Sequence, residues 1–357
     1  MEKYRQRLWF LCLFILVGLS GLEQGFGQQS PQWRLKNRVQ VSYEFDDNIR
    51  ENPASDSLDR IEDSSLRFLF DSQASRSTSK TRLAFTFRGG LQTYFKNSIE
   101  NKLINEFDFS GALRIYKLAL GVRGSGRMKL YLNDILDYAT GSAELFLQVP
   151  LFSNVKSEIG VQAAGLNYQN FSIFDYSENQ IKWNISRKLA ERLAGLLEFS
   201  FRHTRYDRVA NFSPGTPNFG LEQQDDHYKV LWQLNYTRQV LINFSYTYQR
   251  NNSNTFGYSY SKHQLTLTFG APLTAGIWLR GYGAYQNKRY REQAIQIFPT
   301  DLDTEREESN FFVLDLSKDV NTHFTTLIRL AYYNNESVIR SRFYRKVLLS
   351  AGFDFRF

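Results

Sequence analysis

Asp225-Asp226-His227 and Asp301-Leu302-Asp303 are the groupings in this sequence whose residue types are best suited to chemistry. A carboxylate beside an imidazole, facing a second carboxylate pair, can take a proton from water and direct the oxygen at a carbonyl carbon. The remaining histidines, His203, His263 and His323, stand without a serine in a G-x-S-x-G elbow. No Walker loop, zinc spacing or dinucleotide motif is present. The single cysteine, Cys12, lies in an apolar run near the N-terminus, so a chain shorn of that run has no thiol chemistry, disulfide or thiolate metal site. Asp46-Asp47-Asn48 offers two carboxylates and an amide, a set that suits a calcium ion or a sugar. The plainer reading is a solvated strand end, since Asp and Asn favour turns.

An Asp-x-His pair facing an Asp pair resembles the outer-membrane aspartate proteases of the omptin family. Those barrels have ten strands, and here the acidic pair follows Asp225-x-His227 instead of preceding it. The expectation is therefore polar loop residues: not an enzyme, with no metal and no cofactor.

The elements that would hold these residues are strands. From Lys346 to Phe357, Val347, Leu349, Ala351, Phe353, Phe355 and Phe357 fall on one face, while Lys346, Ser350, Gly352, Asp354 and Arg356 fall on the other. Leu348 is the exception. Successive strand side chains point to opposite faces, so this is one strand with an oily and a wet side. The same alternation recurs from Val39-Val41-Tyr43-Phe45 through Leu66-Phe68-Phe70, Tyr228-Val230-Trp232-Leu234-Tyr236 and Ile328-Leu330-Tyr332. Sixteen such segments can be counted, with 14 to 18 open, and no long segment shows a helical period. Short spacers (Tyr116-Lys117, Arg238-Gln239, Lys318 to Asn321) alternate with long ones (Asn48 to Asp63, Asp207 to Gln224, Tyr290 to Glu307). Short turns at one rim and long loops at the other describe an all-β transmembrane antiparallel up-and-down barrel. A soluble β-sandwich is the rival, with shorter strands.

Composition agrees. The 357 residues include 30 Phe and 21 Tyr, yet mean hydropathy is negative, as expected where lumen-facing residues offset lipid-facing ones. Aromatics near strand ends, such as Tyr43, Phe95, Tyr228 and Tyr285, suit membrane-interface girdles. The net charge of +8 is scattered singly along strands, which speaks against nucleic acid as a partner. Lys3, Arg5 and Arg7, the apolar run Leu8 to Leu19 and the small residues after it read as a secretory signal peptide over 1–27, cleaved between 20 and 28. Residues 28–33 form a short periplasmic lead, and 34–357 the barrel.

The first strand, Val39-Gln40-Val41-Ser42-Tyr43-Glu44-Phe45 closed by the motif Asp46-Asp47-Asn48, resembles the opening of bacterial beta-barrel porin families. The resemblance extends to the layout of nearly the whole mature chain. It implies an outer-membrane channel, and some members are similar to barrels of exopolysaccharide export systems. A last strand ending in Phe resembles the signal read by the barrel-assembly machinery, here Val347, Leu349, Phe353, Phe355 and Phe357.

With the oily face outward, strand parity sends Arg67, Arg82, Arg88, Arg114, Arg123, Arg127, Lys182, Arg202, Lys229, Lys262, Arg280 and Arg329 into the lumen, with Lys346 and Arg356. The inward acids are Asp71, Glu106, Asp108, Glu144, Glu158, Glu198, Asp315 and Asp354. Fourteen against eight leaves an excess of +6, which favours anions if it is unpaired. The alternative is that the charges pair across strands and stabilise the wall. Sixteen strands leave an aqueous lumen unless a loop folds in, and Asp207 to Gln224 or Tyr290 to Glu307 could constrict it. The expected function is a porin-like channel for small hydrophilic solutes, weakly anion-preferring. A conduit for exopolysaccharide export is one alternative, and a closed adhesive or structural barrel another. Expected partners are outer-membrane lipid, lipopolysaccharide and the barrel-assembly machinery. The chain would lie in the bacterial outer membrane with both termini periplasmic, as a monomer or a trimer.

Overall fold

The computed structural model describes residues 33–50, 60–132, 137–152, 154–213, 215–274, 276–292, 310–335 and 344–357. The signal and cleavage region, and Asp301-Leu302-Asp303, lie outside them. The strands are β1 (Arg34–Asp46), β2 (Asp63–Ser77), β3 (Thr81–Tyr94), β4 (Lys102–Ile115), β5 (Leu118–Tyr131), β6 (Tyr138–Phe152), β7 (Val155–Tyr168) and β8 (Tyr176–Ala190). The second half contributes β9 (Leu193–Ser213), β10 (Thr216–Thr237), β11 (Leu241–Ser253), β12 (Tyr260–Pro272), β13 (Ile277–Tyr290), β14 (Asn310–Asp319), β15 (Phe324–Asn335) and β16 (Tyr344–Arg356). Each pairs antiparallel with its sequence neighbours, and β1 pairs with β16 to close a sixteen-stranded barrel. Closure gives every strand two partners, so no edge is left with unpaired backbone groups, as a lipid environment demands. Apart from two single 3-10 turns, at Ser98–Glu100 and Ser172–Phe174, the described residues form no helix.

Connections of two to four residues join β2–β3, β4–β5, β6–β7, β8–β9, β10–β11, β12–β13 and β14–β15 at one end, the turn end. The opposite, loop end carries connections of six to nineteen residues, except between β9 and β10. There the spacer expected as a loop, Asp207 to Gln224, is instead a continuation of both strands, with Gly215 at φ 72° in the turn. Pro214, Pro217 and Gly220 had argued for a loop. Pro214 lies outside the described residues; the ladder accommodates Pro217 and Gly220 through register shifts around Thr216, Pro217 and Glu222, so the segment projects as a hairpin.

The oily face lies outside. Val41, Tyr43, Phe68, Phe107, Leu145, Ile181, Trp232, Leu267, Ile328, Phe353 and Phe355 are exposed on it, and neighbouring rings touch along it, as at Phe85–Phe109 (4.9 Å) and Phe324–Phe355 (4.8 Å). Tyr43 and Phe95, expected in a girdle, lie 6.2 Å apart near the loop end.

The seam between β1 and β16 runs from Arg38 opposite Arg356 to Asp46 opposite Leu348. At the turn end, Asn37 and Phe357 exchange backbone hydrogen bonds of 2.9 and 3.1 Å. Midway, Gly352 lets the strands approach closely: a Cβ there would meet the Val41 carbonyl and lie 2.7 Å from the Ser42 Cβ. At the loop end the seam is clasped by Asp46-Asp47-Asn48.

Candidate functional site

That clasp corrects the reading of Asp46-Asp47-Asn48 as a solvated end. Asp46 and Asn48 are fully buried. The Lys346 Nζ lies 2.6 Å from Asp46 Oδ2, the Val347 amide donates to Asp47 Oδ1 (2.7 Å), and the Asn48 side-chain amide donates to the Arg345 carbonyl (3.3 Å). Asp46 also accepts from the Asn48 amide at 3.0 Å. The oxygens that might have met an ion are taken up in holding the first strand to the last.

Asp225 and His227 share the inward face of β10, and Asp226 points to the other face. Asp226 Oδ1 lies 2.8 Å from His203 Nδ1 there. Asp225 is buried and accepts from the side-chain amides of Gln223 (3.1 Å) and Asn251 (3.2 Å). His227 Nδ1 lies 3.2 Å from Gln249 Nε2. His263 meets the Tyr246 hydroxyl at 2.8 Å, and His323 the Arg356 carbonyl at 2.8 Å. The four histidines are thus dispersed, and among the described residues no cluster of ligating side chains suited to a metal occurs.

The inner wall is an array of cross-strand ion pairs. Arg67 approaches Glu44 (3.5 Å). Arg88 holds Glu106 (2.7 Å) and Asp108 (2.8 Å), with Asp71 at 3.8 Å. Arg127 reaches Glu106 (3.5 Å). Arg123 makes a bidentate contact with Glu158 (2.9 and 2.9 Å), approaches Glu144 (3.4 Å) and lies 3.8 Å above the Phe146 ring. Lys182 pairs with Glu144 (3.2 Å), Arg202 with Glu178 (3.5 Å), Lys229 with Glu198 (2.7 Å), and Arg329 with Asp315 (2.7 and 2.9 Å). Among the described residues, at least eight of the twelve basic residues assigned to the lumen therefore face a carboxylate. Glu44, Asp46 and Glu178 must join the inward acids, because Arg67, Lys346 and Arg202 meet them across the ladder. The +6 excess is accordingly not spread along the wall.

Space remains beside these pairs. The side chains of Arg88, Arg123 and Arg329 keep 49%, 39% and 37% of their surface open to solvent inside the barrel. A recess of about 270 Å³ opens on the wall of β1 to β5, where Arg38, Arg67, Arg88 and Arg127 stand around Leu69 and Ile104.

The two ends differ. At the loop end, strand parity turns ten tyrosines inward: Tyr94, Tyr131, Tyr138, Tyr168, Tyr176, Tyr206, Tyr260, Tyr290, Tyr333 and Tyr344. Rings on adjacent strands meet at Tyr138–Tyr168 (5.4 Å), Tyr176–Tyr206 (5.7 Å) and Tyr260–Tyr290 (5.7 Å). Cations lie over them: Lys288 is 4.0 Å from the Tyr260 ring centre and Arg208 is 4.4 Å from that of Tyr206. Three of these tyrosines end their strands in one way. The amides of Tyr94, Tyr131 and Tyr168 donate to the side chains of Asn101 (2.7 Å), Asp137 (2.6 Å) and Asp175 (2.6 Å), just ahead of the next strand. This belt is absent from the sequence-based expectation. Its signal was available, since these tyrosines share the wet parity and all but Tyr206 lie within two residues of a strand end.

At the turn end, Arg34, Lys36, Arg82, Arg114, Lys156 and Lys188 share the inward face of β1, β3, β4, β7 and β8. All six are exposed, and none makes an ion pair among the described residues. Arg82 and Arg114 were expected in the lumen; the other four were not singled out. Of the remaining expected residues, Lys262 is buried at the loop end, and Arg280 donates to Ser317 (3.3 Å).

The architecture recurs in solved structures. The anion-selective porin from Comamonas acidovorans superposes with a TM-score of 0.51 at 8% identity, over 91% of this chain and 99% of that one. OccAB1 from Acinetobacter baumannii (TM-score 0.49, 10% identity, 91% and 96%) and a BenF-like porin from Pseudomonas fluorescens Pf-5 (0.48, 9% identity, 93% and 100%) also match. No protein-family profile matches the chain, and no curated protein is similar to it in sequence. At these identities the likeness is one of fold: the chain shares the closed antiparallel barrel of the Comamonas acidovorans porin.

Proposed function

We propose that this chain forms a water-filled diffusion channel for small hydrophilic solutes in a bacterial outer membrane. The carrying observation is the wetted inner wall: Arg88 is held by three carboxylates and still leaves half its side chain open to solvent. A filled barrel would bury it. In a wall of balanced pairs, attraction for one sign of ion is offset nearby, so the mid-lumen contributes little selectivity. A weak anion preference then belongs to the turn-end mouth, where cations have no carboxylate partner among the described residues. The reading includes a cleaved leader over 1–27, both termini on the periplasmic side, assembly through the C-terminal strand, and lipid and lipopolysaccharide around the oily face. Purified protein in planar bilayers should give stable conductance steps, and their absence would remove the channel.

The unpaired cations at the turn end favour a second reading, a conduit exporting an anionic exopolysaccharide. Deleting the gene should then abolish polymer secretion; normal secretion would sink that reading.

A further inference from the structure

The outer wall at the loop end carries a cationic cluster for which the lumen has no use. Arg250 on β11 lies opposite Ser261 on β12, and Ser261 lies opposite Arg289 on β13. Strand parity puts both arginines on the oily side, the side of the exposed Leu265, Leu267 and Tyr285. Arg291 follows at the end of β13, and the three arginines border a cavity of about 340 Å³ together with Tyr248 and Ser261. All three are exposed. Arg250 donates to the Asn252 side chain (3.1 Å), and none of the three meets a carboxylate among the described residues. Elsewhere on this face Arg205 is answered by Glu222 (3.5 Å).

What lies below the cluster narrows the ligand. One step toward mid-barrel, Tyr248 faces His263 with ring centres 5.1 Å apart. A further step brings Tyr246 opposite Leu265, and Leu265 opposite Tyr285. The Tyr246 hydroxyl lies 2.8 Å from His263 Nδ1, so the two layers interlock. Amphipathic rings of this kind mark a membrane–water interface. A strand advances about 3.4 Å per residue, which sets the arginine row roughly 7 Å beyond the His263 layer, at headgroup depth. Arg250 and Arg289 flank Ser261 by one strand on each side, about 10 Å apart at the backbone, so their long side chains can close on one anion. A solute in the lumen cannot reach them, because the barrel wall intervenes. A soluble anion would use the arginines and leave the apolar layers below without a role. An amphiphile with its anion at the arginines and acyl chains along Leu265, Leu267 and Tyr285 uses both. Three cations for one headgroup favour a phosphate monoester, at about −1.5 to −2 near pH 7, over a diester with a single charge.

We infer that β11 to β13 hold a site for a phosphorylated glycolipid of the lipid A type, its phosphate monoester seated among Arg250, Arg289 and Arg291. The site concentrates the general lipid contact of the oily face into one lipid at one place, and it rests on the outer-membrane reading with the loop end outward.

The test is native mass spectrometry of the purified full barrel in detergent, titrated with bisphosphorylated lipid A. Lipid A stripped of its phosphates, dioleoylphosphatidylglycerol and inorganic phosphate are the comparison probes. One triple variant is Arg250→Gln, Arg289→Gln and Arg291→Gln. A second takes Arg50, Lys96 and Arg205, exposed at the same end and outside the cavity, to Gln. The parent and the second variant should retain one lipid A per barrel, and the first should bind it at least about tenfold more weakly. Stripped lipid A should bind the parent and the first variant alike. Equal binding of lipid A by the first variant and the parent overturns the site. Equal loss in the second variant also overturns it, since net charge alone would then explain the effect. Phosphatidylglycerol held as tightly as lipid A overturns the glycolipid, and inorganic phosphate displacing lipid A at equal concentration overturns the apolar half of the site. Heat-modifiable gel mobility checks that both variants are folded. Lipid binding needs no conduction, so the two readings fail separately. A silent barrel that keeps arginine-dependent lipid A loses only the channel, and a conducting barrel whose lipid A ignores the arginines loses only the site.

Discussion

The Lys346 ammonium lies 2.6 Å from Asp46 Oδ2, with 7% and 2% of the two side chains exposed, and this contact binds the last strand to the first. Removing one partner of a buried pair leaves a charge without compensation, at a cost of about 3–5 kcal/mol. Lys346→Met should therefore lower the urea midpoint of the folded barrel sharply. Adding Asp46→Asn should recover much of the loss, because a neutral amide avoids burying a lone charge and still accepts the Asn48 amide. A double-mutant cycle without coupling between the two sites would show that the clasp carries no stability.

Arg88 stands among Asp71, Glu106 and Asp108. Arg88→Gln would leave three carboxylates facing the lumen with one fewer cation, shifting the local potential toward cations. Reversal potentials in a KCl gradient should move in the cation-selective direction. An unchanged reversal potential would place the permeation path away from this wall.

Phe357 exchanges backbone bonds with Asn37 and stays exposed on the oily face. Deleting it, or Phe357→Asp, should reduce folded barrel in the membrane severalfold while the conductance of the molecules that do assemble stays the same. Normal membrane levels would mean that the terminal residue is not part of the assembly signal.

Asp137 accepts the Tyr131 amide at 2.6 Å. Asp137→Ala would leave that donor unsatisfied, at a cost of about 1–3 kcal/mol. Hydrogen exchange at Tyr131 should accelerate while exchange in β12 and β13 holds steady. A uniform change across the barrel would contradict a local clamp.

The barrel was legible in the sequence because alternation is a property of single strands: Phe353, Phe355 and Phe357 declare their face with no reference to any neighbour. The same alternation assigns Arg67, Arg88, Arg123 and Arg329 to the wet parity of their strands. What each of them meets depends on register, which one strand does not encode. Glu44 and Glu178 thus went uncounted, and their pairing with Arg67 and Arg202 emerges only when β1 is laid on β2 and β8 on β9. Asp46-Asp47-Asn48 was misread for a related reason: its partners, Arg345 to Val347, lie at the far end of the chain. Asp207 to Gln224 was misread because Pro and Gly mark turns locally, whereas two long strands already in register continued their ladder past them.

The seam also has a kinetic consequence. Fifteen of the sixteen strand pairings join neighbours in the chain, while the pairing of β1 with β16 brings Arg38 opposite Arg356. Loop-closure entropy grows with the length of chain enclosed, so nearly all the cost of long-range search falls on that single event. The hairpins can mature one after another as a growing curved sheet with two open edges. Joining those edges is then the slow step, and until it occurs β1 and β16 are the strands open to pairing with a second molecule. In this barrel the clasp is thus a safeguard against misassembly as well as a source of stability.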